Sequence, residues 1–165
     1  MRDRLLTLAT REHLNYNHVL IRYVLERLLY RLSVSSQRDD FALKGGMLSA
    51  IWMTDPFRMT MDVDLLGLGN FRANALQDAF CTIMDTPVVD DGVIFDSDSL
   101  DIKPIRERQT YDGFRIKALA FIGSACIPIH IDIGFEDAVT PALEEQKYPT
   151  ILECGFIEVG LCLFS

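Results

Sequence analysis

Two stretches of alternating apolar and polar residues, 113–121 and 127–135, constrain the fold most strongly. Apolar residues occupy every second position in much of each stretch, which is the pattern of a strand that buries one face. Gly123 and Ser124 stand between the stretches and are typical of a tight turn. The pattern therefore predicts an antiparallel β-hairpin, and with it a sheet, in the second half of the chain.

Helical spacing of apolar residues appears in two other places. One long amphipathic helix is predicted from Glu12 to about Leu32, and a second helix from Arg72 to about Met84. Shorter strand candidates lie at 41–43, 61–66, 93–95 and 100–105. Together these elements predict an α/β (α+β) fold, in which helices flank a mixed and mostly antiparallel sheet.

The length of 165 residues is that of one domain. Within it we expect an N-terminal helix at about 10–33, a core at about 40–152 and an atypical tail at 153–165. The tail is apolar and interrupted by glycine, with neither a helix cap nor a charged end. It predicts either an edge strand or a segment that covers a partner surface, which would make the chain self-associate.

Charge and composition limit the classes of function. The formal net charge of −8 excludes a general coater of nucleic acid, since phosphate binding requires clustered Lys and Arg. Contact with RNA would need a local basic patch or a narrow site for an RNA end. No apolar run approaches the ~20 residues of a membrane helix, and the N-terminus lacks an apolar signal region. Because the four cysteines form no CxxC pair and are typical of reduced thiols, we expect a cytoplasmic protein without membrane contact.

Asp62 and Asp64 are separated by one residue on a predicted strand. A period of two places both carboxylates on one face of the sheet. Adjacent carboxylates repel each other unless a cation lies between them, and hard oxygen ligands suit Mg²⁺ or Mn²⁺. A solvated strand edge explains the same pair without a metal. A glycosyltransferase that binds Mn²⁺ and a nucleotide sugar is a further alternative.

Asp132 interrupts the otherwise apolar strand 129–133. A charge at such a position is costly unless it is paired or bound to a metal. Two interpretations stay open at this point, a metal ligand or an ion pair with an arginine of a neighbouring strand such as Arg115. As a ligand, Asp132 would complete a set of three carboxylates able to hold two metal ions.

The segment Lys44-Gly45-Gly46 lies between a short apolar strand and a helix candidate. Glycines at such a turn let the backbone approach phosphate oxygens, and the following helix presents unpaired N–H groups. A glycine pair alone usually marks only a tight turn. Here the strand with Asp62 and Asp64 follows after about one helix and one loop, which favours a phosphate site.

These motifs resemble a known family when they are taken in order. The matching segments are FALKGGML at 41–48, RMTMDVDL at 58–65, YDGFR at 111–115, IDIGF at 131–135 with Asp137 and Pro141, and YPT at 148–150. The series resembles the polymerase-β-type nucleotidyltransferase superfamily and, within it, the AbiEii/AbiGii toxin family. The resemblance extends over roughly residues 40 to 152 and implies the nucleotidyltransferase fold.

The resemblance implies a catalytic centre. Gly45 and Gly46 would cradle the triphosphate of an NTP substrate. Asp62 and Asp64 would bind both Mg²⁺ (or Mn²⁺) ions, and Asp132 would complete the metal site and could act as a base. The chemistry would be transfer of a nucleotide, which depends mainly on positioning and charge neutralisation.

Further residues would contact the nucleotide by the same resemblance. Arg58 and Thr60 would hold phosphates or order the loop, and Lys44, Arg115 and Lys117 would contact phosphates. Surface charge or a structural salt bridge explains the four basic residues equally well. Family members act as toxins of toxin–antitoxin pairs in phage defence, and some transfer nucleotides to RNA, including tRNA 3′ ends. The implied partners are therefore an NTP, an RNA acceptor and a cognate antitoxin protein.

The chain departs from the family pattern at Met47, where the superfamily often has Ser, and at Glu136, where the family often has Gly. Family members usually continue into a helical half, whereas this sequence ends at Ser165. We therefore expect a member truncated at its C-terminus. Two activities stay open, an active Mg²⁺-dependent transferase or an inactive remnant that binds nucleotide or a partner.

Overall fold

The computed structural model describes residues 1–52, 60–69, 71–107, 110–135, 142–153 and 157–163. The helices in these ranges are α1 (Arg2–Arg11), α2 (Tyr16–Val34), α3 (Ser49–Trp52) and α4 (Ala73–Met84), with short 3-10 turns at Arg38–Asp40 and Gly45–Leu48. The strands are β1 (Phe41–Lys44), β2 (Asp62–Gly67), β3 (Ile94–Glu107), β4 (Thr110–Ile122), β5 (Ala125–Gly134), β6 (Ala142–Tyr148) and β7 (Ile157–Leu163).

The strands of the described residues form one sheet in the order β3-β4-β5-β2-β1-β7-β6. The pairs β2–β5 and β1–β7 are parallel, and the remaining pairs are antiparallel. The predicted mixed and mostly antiparallel sheet is therefore confirmed. The predicted hairpin is the pair β4–β5, which turns at Gly123 with a φ of +58°.

The N-terminal helix was predicted wrongly in its extent. Two helices occupy this part of the chain, because α1 ends at Arg11 and α2 begins only at Tyr16, where the side chain of Asn15 accepts a hydrogen bond from the His18 N–H at 3.3 Å. Since α1 packs on α2, α2 is buried around most of its surface and is not simply amphipathic. No helix in the described part of the chain is long and apolar enough to cross a membrane.

The two weak strand candidates at 93–95 and 100–105 belong to one strand, β3. The register between β3 and β4 shifts between Asp96 and Asp101, and this bulge interrupts the apolar pattern. Within the bulge, the Ser99 hydroxyl accepts a hydrogen bond from the Leu119 N–H at 2.8 Å. The Leu119 N–H thus has a hydrogen-bond partner within the bulge, and β3 continues past it.

The apolar tail was predicted as an edge strand or a covering segment, and the edge assignment is wrong. Residues 157–163 form β7, which pairs with β1 on one side and with β6 on the other. The sequence analysis did not predict β6, and it is β6 that lies at this edge of the sheet. Residues 154–156 and 164–165 of the tail lie outside the described part of the chain.

Helices α1, α2 and α4 share one buried apolar cluster with the inner face of the sheet. Val63, Ile116 and Ile131 are fully buried on this inner face. Because side chains alternate along a strand, their neighbours point to the opposite face, where polar and charged residues are exposed or partly buried. That opposite face carries the residues that the sequence singles out for chemistry.

Two charged pairs lie inside the core beside α2. Arg31 holds Asp91 through two hydrogen bonds, of 2.8 Å and 3.1 Å. Arg22 donates to Glu26 at 2.7 Å, and neither side chain is more than 1% exposed. These charges are buried but paired, which is the condition under which a protein interior tolerates them.

Candidate active site on the open face of the sheet

Four charged side chains form a row across four neighbouring strands. Lys44 on β1 lies opposite Asp64 on β2, Asp64 lies opposite Asp132 on β5, and Asp132 lies opposite Arg115 on β4. Residues opposite each other in neighbouring strands project from the same face of a sheet. The row therefore places two adjacent carboxylates between a lysine and an arginine.

A second row runs beside the first, two residues away along each strand. Asp62 lies opposite His130, and His130 lies opposite Lys117. The Nδ1 atom of His130 is 3.5 Å from Oδ1 of Asp62, and the two side chains are 47% and 52% exposed. Asp62 is thus the most accessible of the three predicted metal-binding carboxylates.

The glycine turn at Gly45–Leu48 follows β1 and packs against Asp64. Gly45 has a φ of +72°, which disfavours any residue with a side chain, and a Cβ there would collide with Oδ2 of Asp64. The backbone N–H of Gly46 lies beside the Asp64 carboxylate and lowers the pKa of that carboxyl. A Cβ at Gly46 would lie 3.1 Å from Cγ2 of Thr60, so the turn fits closely against the start of β2.

Arg115 forms a fork with Asp132 on the open face. Its Nε donates to Oδ1 and its Nη2 to Oδ2, both at 2.8 Å. The ion-pair interpretation of Asp132 is therefore confirmed. The hydrogen bonds and the charge of Asp132 raise the pKa of Arg115 above its already high ordinary value, so the arginine is always a cation.

Asp64 lies in the most negative part of the site. Its pKa is raised above the ordinary value of 3.8, first because the carboxyl is partly buried and next because the charges of Asp132 and Asp62 repel a further negative charge. Lys44 and the Gly46 N–H act in the opposite direction but do not outweigh these effects. A cation placed beside Asp64 would relieve the repulsion.

The carboxylates suit a divalent cation by their chemistry, but their side chains are not gathered round one point. In the described ranges, no three His, Cys, Asp or Glu side chains are placed so that they could hold a metal ion together. The chemistry of the donors nevertheless fits Mg²⁺, because Asp62 and Asp64 offer hard oxygen atoms on one face. Asp132 could join them through lone pairs that the two Arg115 hydrogen bonds leave free, but against the repulsion between Arg115 and the cation.

A comparison with protein families shows which family the chain belongs to. The family model of the nucleotidyl transferase AbiEii toxin, of type IV toxin–antitoxin systems, matches residues 27–162. The chain belongs to the AbiEii family. This result confirms the family that the motifs predicted, and it decides against the glycosyltransferase alternative. No curated protein matches the chain.

Two solved structures resemble the AbiEii chain. JHP933 from Helicobacter pylori has 14% sequence identity and a TM-score of 0.46, and the match covers 74% of this chain and 46% of that one. A candidate nucleotidyltransferase from H. pylori has the same identity and TM-score, with 87% of this chain and 52% of that one covered. The AbiEii chain thus spans about half the length of these two proteins.

The remaining predicted residues have different positions in the AbiEii chain. The Lys44 side chain reaches across to β5, since a Cβ at Gly134 would lie 2.6 Å from its Nζ. Thr60 is in contact distance of the glycine turn, and Lys117 belongs to the second row. Arg58 lies outside the described part of the chain.

The sequence analysis did not single out His130, which the structure places against Asp62. The signal was nonetheless present, because His130 and Asp132 are two residues apart on a strand with clear alternation. Both must therefore face the same side of the sheet. Only the register between β5 and β2, which the sequence does not give, brings His130 against Asp62.

Proposed function

We propose that this chain is a metal-dependent nucleotidyltransferase, the toxin of a type IV toxin–antitoxin pair. It transfers a nucleotide from an NTP to an RNA acceptor, with the 3′ end of tRNA as the first candidate. One observation carries the proposal. Asp64 and Asp132 stand side by side on the open face, next to Asp62 and against the glycine turn.

The proposed roles follow from these positions. Asp62 and Asp64 hold the divalent cation, which supplies charge neutralisation on the triphosphate when it is bound. The glycine turn brings backbone N–H groups close to the phosphates. Lys44 and Arg115 border the carboxylates at the two ends of the row and balance negative charge on the substrate.

The acceptor is proposed to approach over β4. Arg115 and Lys117 are exposed there, and Lys103 on β3 lies opposite Arg115. This patch is the local basic surface that an RNA end needs on a protein of net charge −8. The site is bounded by Asp101, which forms an ion pair with Lys103 at 3.0 Å. A cognate antitoxin is the proposed protein partner.

Transfer of labelled NTPs tests the proposal. Each of the four NTPs is incubated with the protein, total tRNA and Mg²⁺, and labelled RNA is counted. Asp62→Asn removes one proposed ligand, and it should abolish labelling, because half of the proposed ligand pair for the cation is lost. Asp101→Asn is a matched control, since Asp101 is similarly exposed and lies at the other end of the same cross-strand row.

The outcomes separate the open alternatives. Labelling that survives in Asp101→Asn and vanishes in Asp62→Asn supports the transferase. Mg²⁺-dependent NTP binding without labelling favours the nucleotide-binding remnant, for which the closed Arg115–Asp132 fork is the supporting observation. Equal labelling by wild type and Asp62→Asn would contradict the proposed site.

A further inference from the structure

The hydroxyl of Tyr148 contacts the glycine turn from within the core. Tyr148 is the last residue of β6 and is only 4% exposed. Its hydroxyl donates a hydrogen bond to the carbonyl oxygen of Met47 at 3.1 Å. Met47 belongs to the turn Gly45–Leu48, so a residue distant in the sequence reaches the turn beside the proposed cation ligands.

The ring of Tyr148 is held firmly from the side of α2. The guanidinium carbon of Arg22 lies 5.3 Å from the centre of the ring. Arg22 is in turn bonded to Glu26, whose carboxylate accepts the N–H of Ile151 at 3.1 Å and 3.3 Å. The segment that follows Tyr148 is therefore tied to α2, and the direction of the hydroxyl is fixed.

The contact bears on the site through the backbone of the turn. The Met47 carbonyl also accepts the backbone N–H of Ser49, and the Ser49 hydroxyl donates to the Gly46 carbonyl at 2.6 Å. Asp64 packs against this turn at Gly45, and the backbone N–H of Gly46 lowers the pKa of its carboxyl. A shift of the Met47 carbonyl would therefore disturb the backbone of the turn through Ser49 and the Gly46 carbonyl, next to the Gly46 N–H.

We propose that Tyr148 is a positioning residue for nucleotide binding, acting through the Met47 carbonyl on the glycine turn. The inference rests on the proposed function, because it assigns the turn to the nucleotide. Tyr148 touches neither substrate nor metal in this scheme. Its hydroxyl holds the turn in the arrangement that places the Gly46 N–H beside Asp64.

Tyr148→Phe tests this role, because it keeps the buried ring and removes only the hydroxyl. Tyr23→Phe is a matched control: Tyr23 is fully buried, and its hydroxyl also donates to a backbone carbonyl, that of Asp91, at 2.7 Å. Each variant loses one buried hydrogen bond, so both should lower the urea midpoint of unfolding to a similar extent. Of these two tyrosines, Tyr148 is the one whose hydroxyl contacts the glycine turn.

Binding of fluorescent methylanthraniloyl NTPs in the presence of Mg²⁺ is the first measurement. Tyr148→Phe should raise the Kd about five- to tenfold, the effect of one misdirected hydrogen bond, whereas Tyr23→Phe should bind as the wild type does. Equal affinity of the two variants would overturn the inference. Absence of binding by the wild type would instead count against the proposed function.

Amide hydrogen exchange decides the inference independently of nucleotide. Exchange at Gly46 should be faster in Tyr148→Phe than in the wild type and unchanged in Tyr23→Phe. Equal rates at Gly46 in all three proteins would show that the hydroxyl does not hold the turn, whatever the chain binds.

Discussion

Two arginine–aspartate forks in this molecule share one geometry and have opposite surroundings. The fork of Arg31 and Asp91 has distances of 2.8 Å and 3.1 Å, and that of Arg115 and Asp132 has two of 2.8 Å. In the first fork both side chains are 6% exposed, whereas in the second they are 53% and 25% exposed. Distance alone therefore does not separate a pair in the core from a pair at the proposed active site.

The neighbours of each fork make the difference. The inner fork is completed by the core, because Arg31 also donates to the Val93 carbonyl and Asp91 accepts the Val93 N–H. The outer fork stands beside Asp64, a carboxylate whose pKa is raised first by burial and next by the charge of Asp132. Asp91 is paired entirely within the core, by Arg31 and the Val93 N–H. Asp132 lies beside another carboxylate, so a second cation near it would reduce the repulsion between them.

The largest expected effect comes from breaking the inner fork. Arg31→Met keeps most of the length of the side chain but leaves the Asp91 carboxylate buried without its cation. We expect the free energy of unfolding to fall by about 3–5 kcal/mol, the usual cost of removing one partner of a buried pair. Urea denaturation followed by circular dichroism measures it.

The same substitution in the outer fork is the control for that experiment. Arg115→Met should change the urea midpoint far less than Arg31→Met, because water can solvate Asp132. If the two variants lost similar stability, the different exposure of the two forks would not determine how much each contributes to the free energy of unfolding.

A smaller effect is expected when cation is added to the outer fork. In Arg115→Met, Asp64 and Asp132 stand together without the arginine, so Mn²⁺ should raise the melting temperature more than it does in the wild type. Thermal melts with and without Mn²⁺ measure the difference. An equal shift in both proteins would mean that Arg115 does not compete with a cation for Asp132.

The smallest effect concerns the pH dependence of stability. The folded protein raises the pKa of Asp64, so the ionised carboxylate destabilises the fold at neutral pH, and protonation relieves this cost. Asp64→Asn should therefore be more stable than the wild type near neutral pH without divalent cations. We expect a gain under about 1 kcal/mol, since solvent screens a partly exposed charge.

The gain should shrink as the pH falls through the raised pKa and disappear below the ordinary value of 3.8, where the carboxyl is protonated in both folded and unfolded wild type. Urea titrations across this pH range follow the change. A variant less stable than the wild type at neutral pH would show that Asp64 is a net stabilising charge.

The spacing of apolar residues along the sequence predicted the strands and helices in which that spacing is regular. Alternation along β4 and β5 is regular, so the hairpin was predictable, and the period of two correctly placed Asp62 and Asp64 on one face. Helix α1 was missed because it buries only Leu5, Leu8 and Ala9, a stripe too short to separate from the next helix. Strand β6 was missed because the consecutive polar residues 144–147 hide the alternation of a half-buried strand.

Contacts between segments that are distant in the chain could not be predicted from the sequence. The position of β7 inside the sheet follows from its pairing with β1, and nothing in the apolar run 157–163 predicts that partner. The sequence left two interpretations of Asp132, a metal ligand or an ion pair with an arginine. It could not show the ion pair with Arg115, because that pair depends on the register between β4 and β5. The bond from Tyr148 to Met47 depends on the complete tertiary structure.

The position of β7 has a consequence for the order of folding. Strand β1 is made early in synthesis, yet one of its sides is paired only by β7, which is made last among the described strands. Contacts between segments so far apart in the chain form slowly, because a long loop must close first. Until then β1, with its apolar sequence Phe41–Lys44, presents an open edge on which a second nascent chain could pair. Of the described strands, the one synthesised last is thus the one that protects the first.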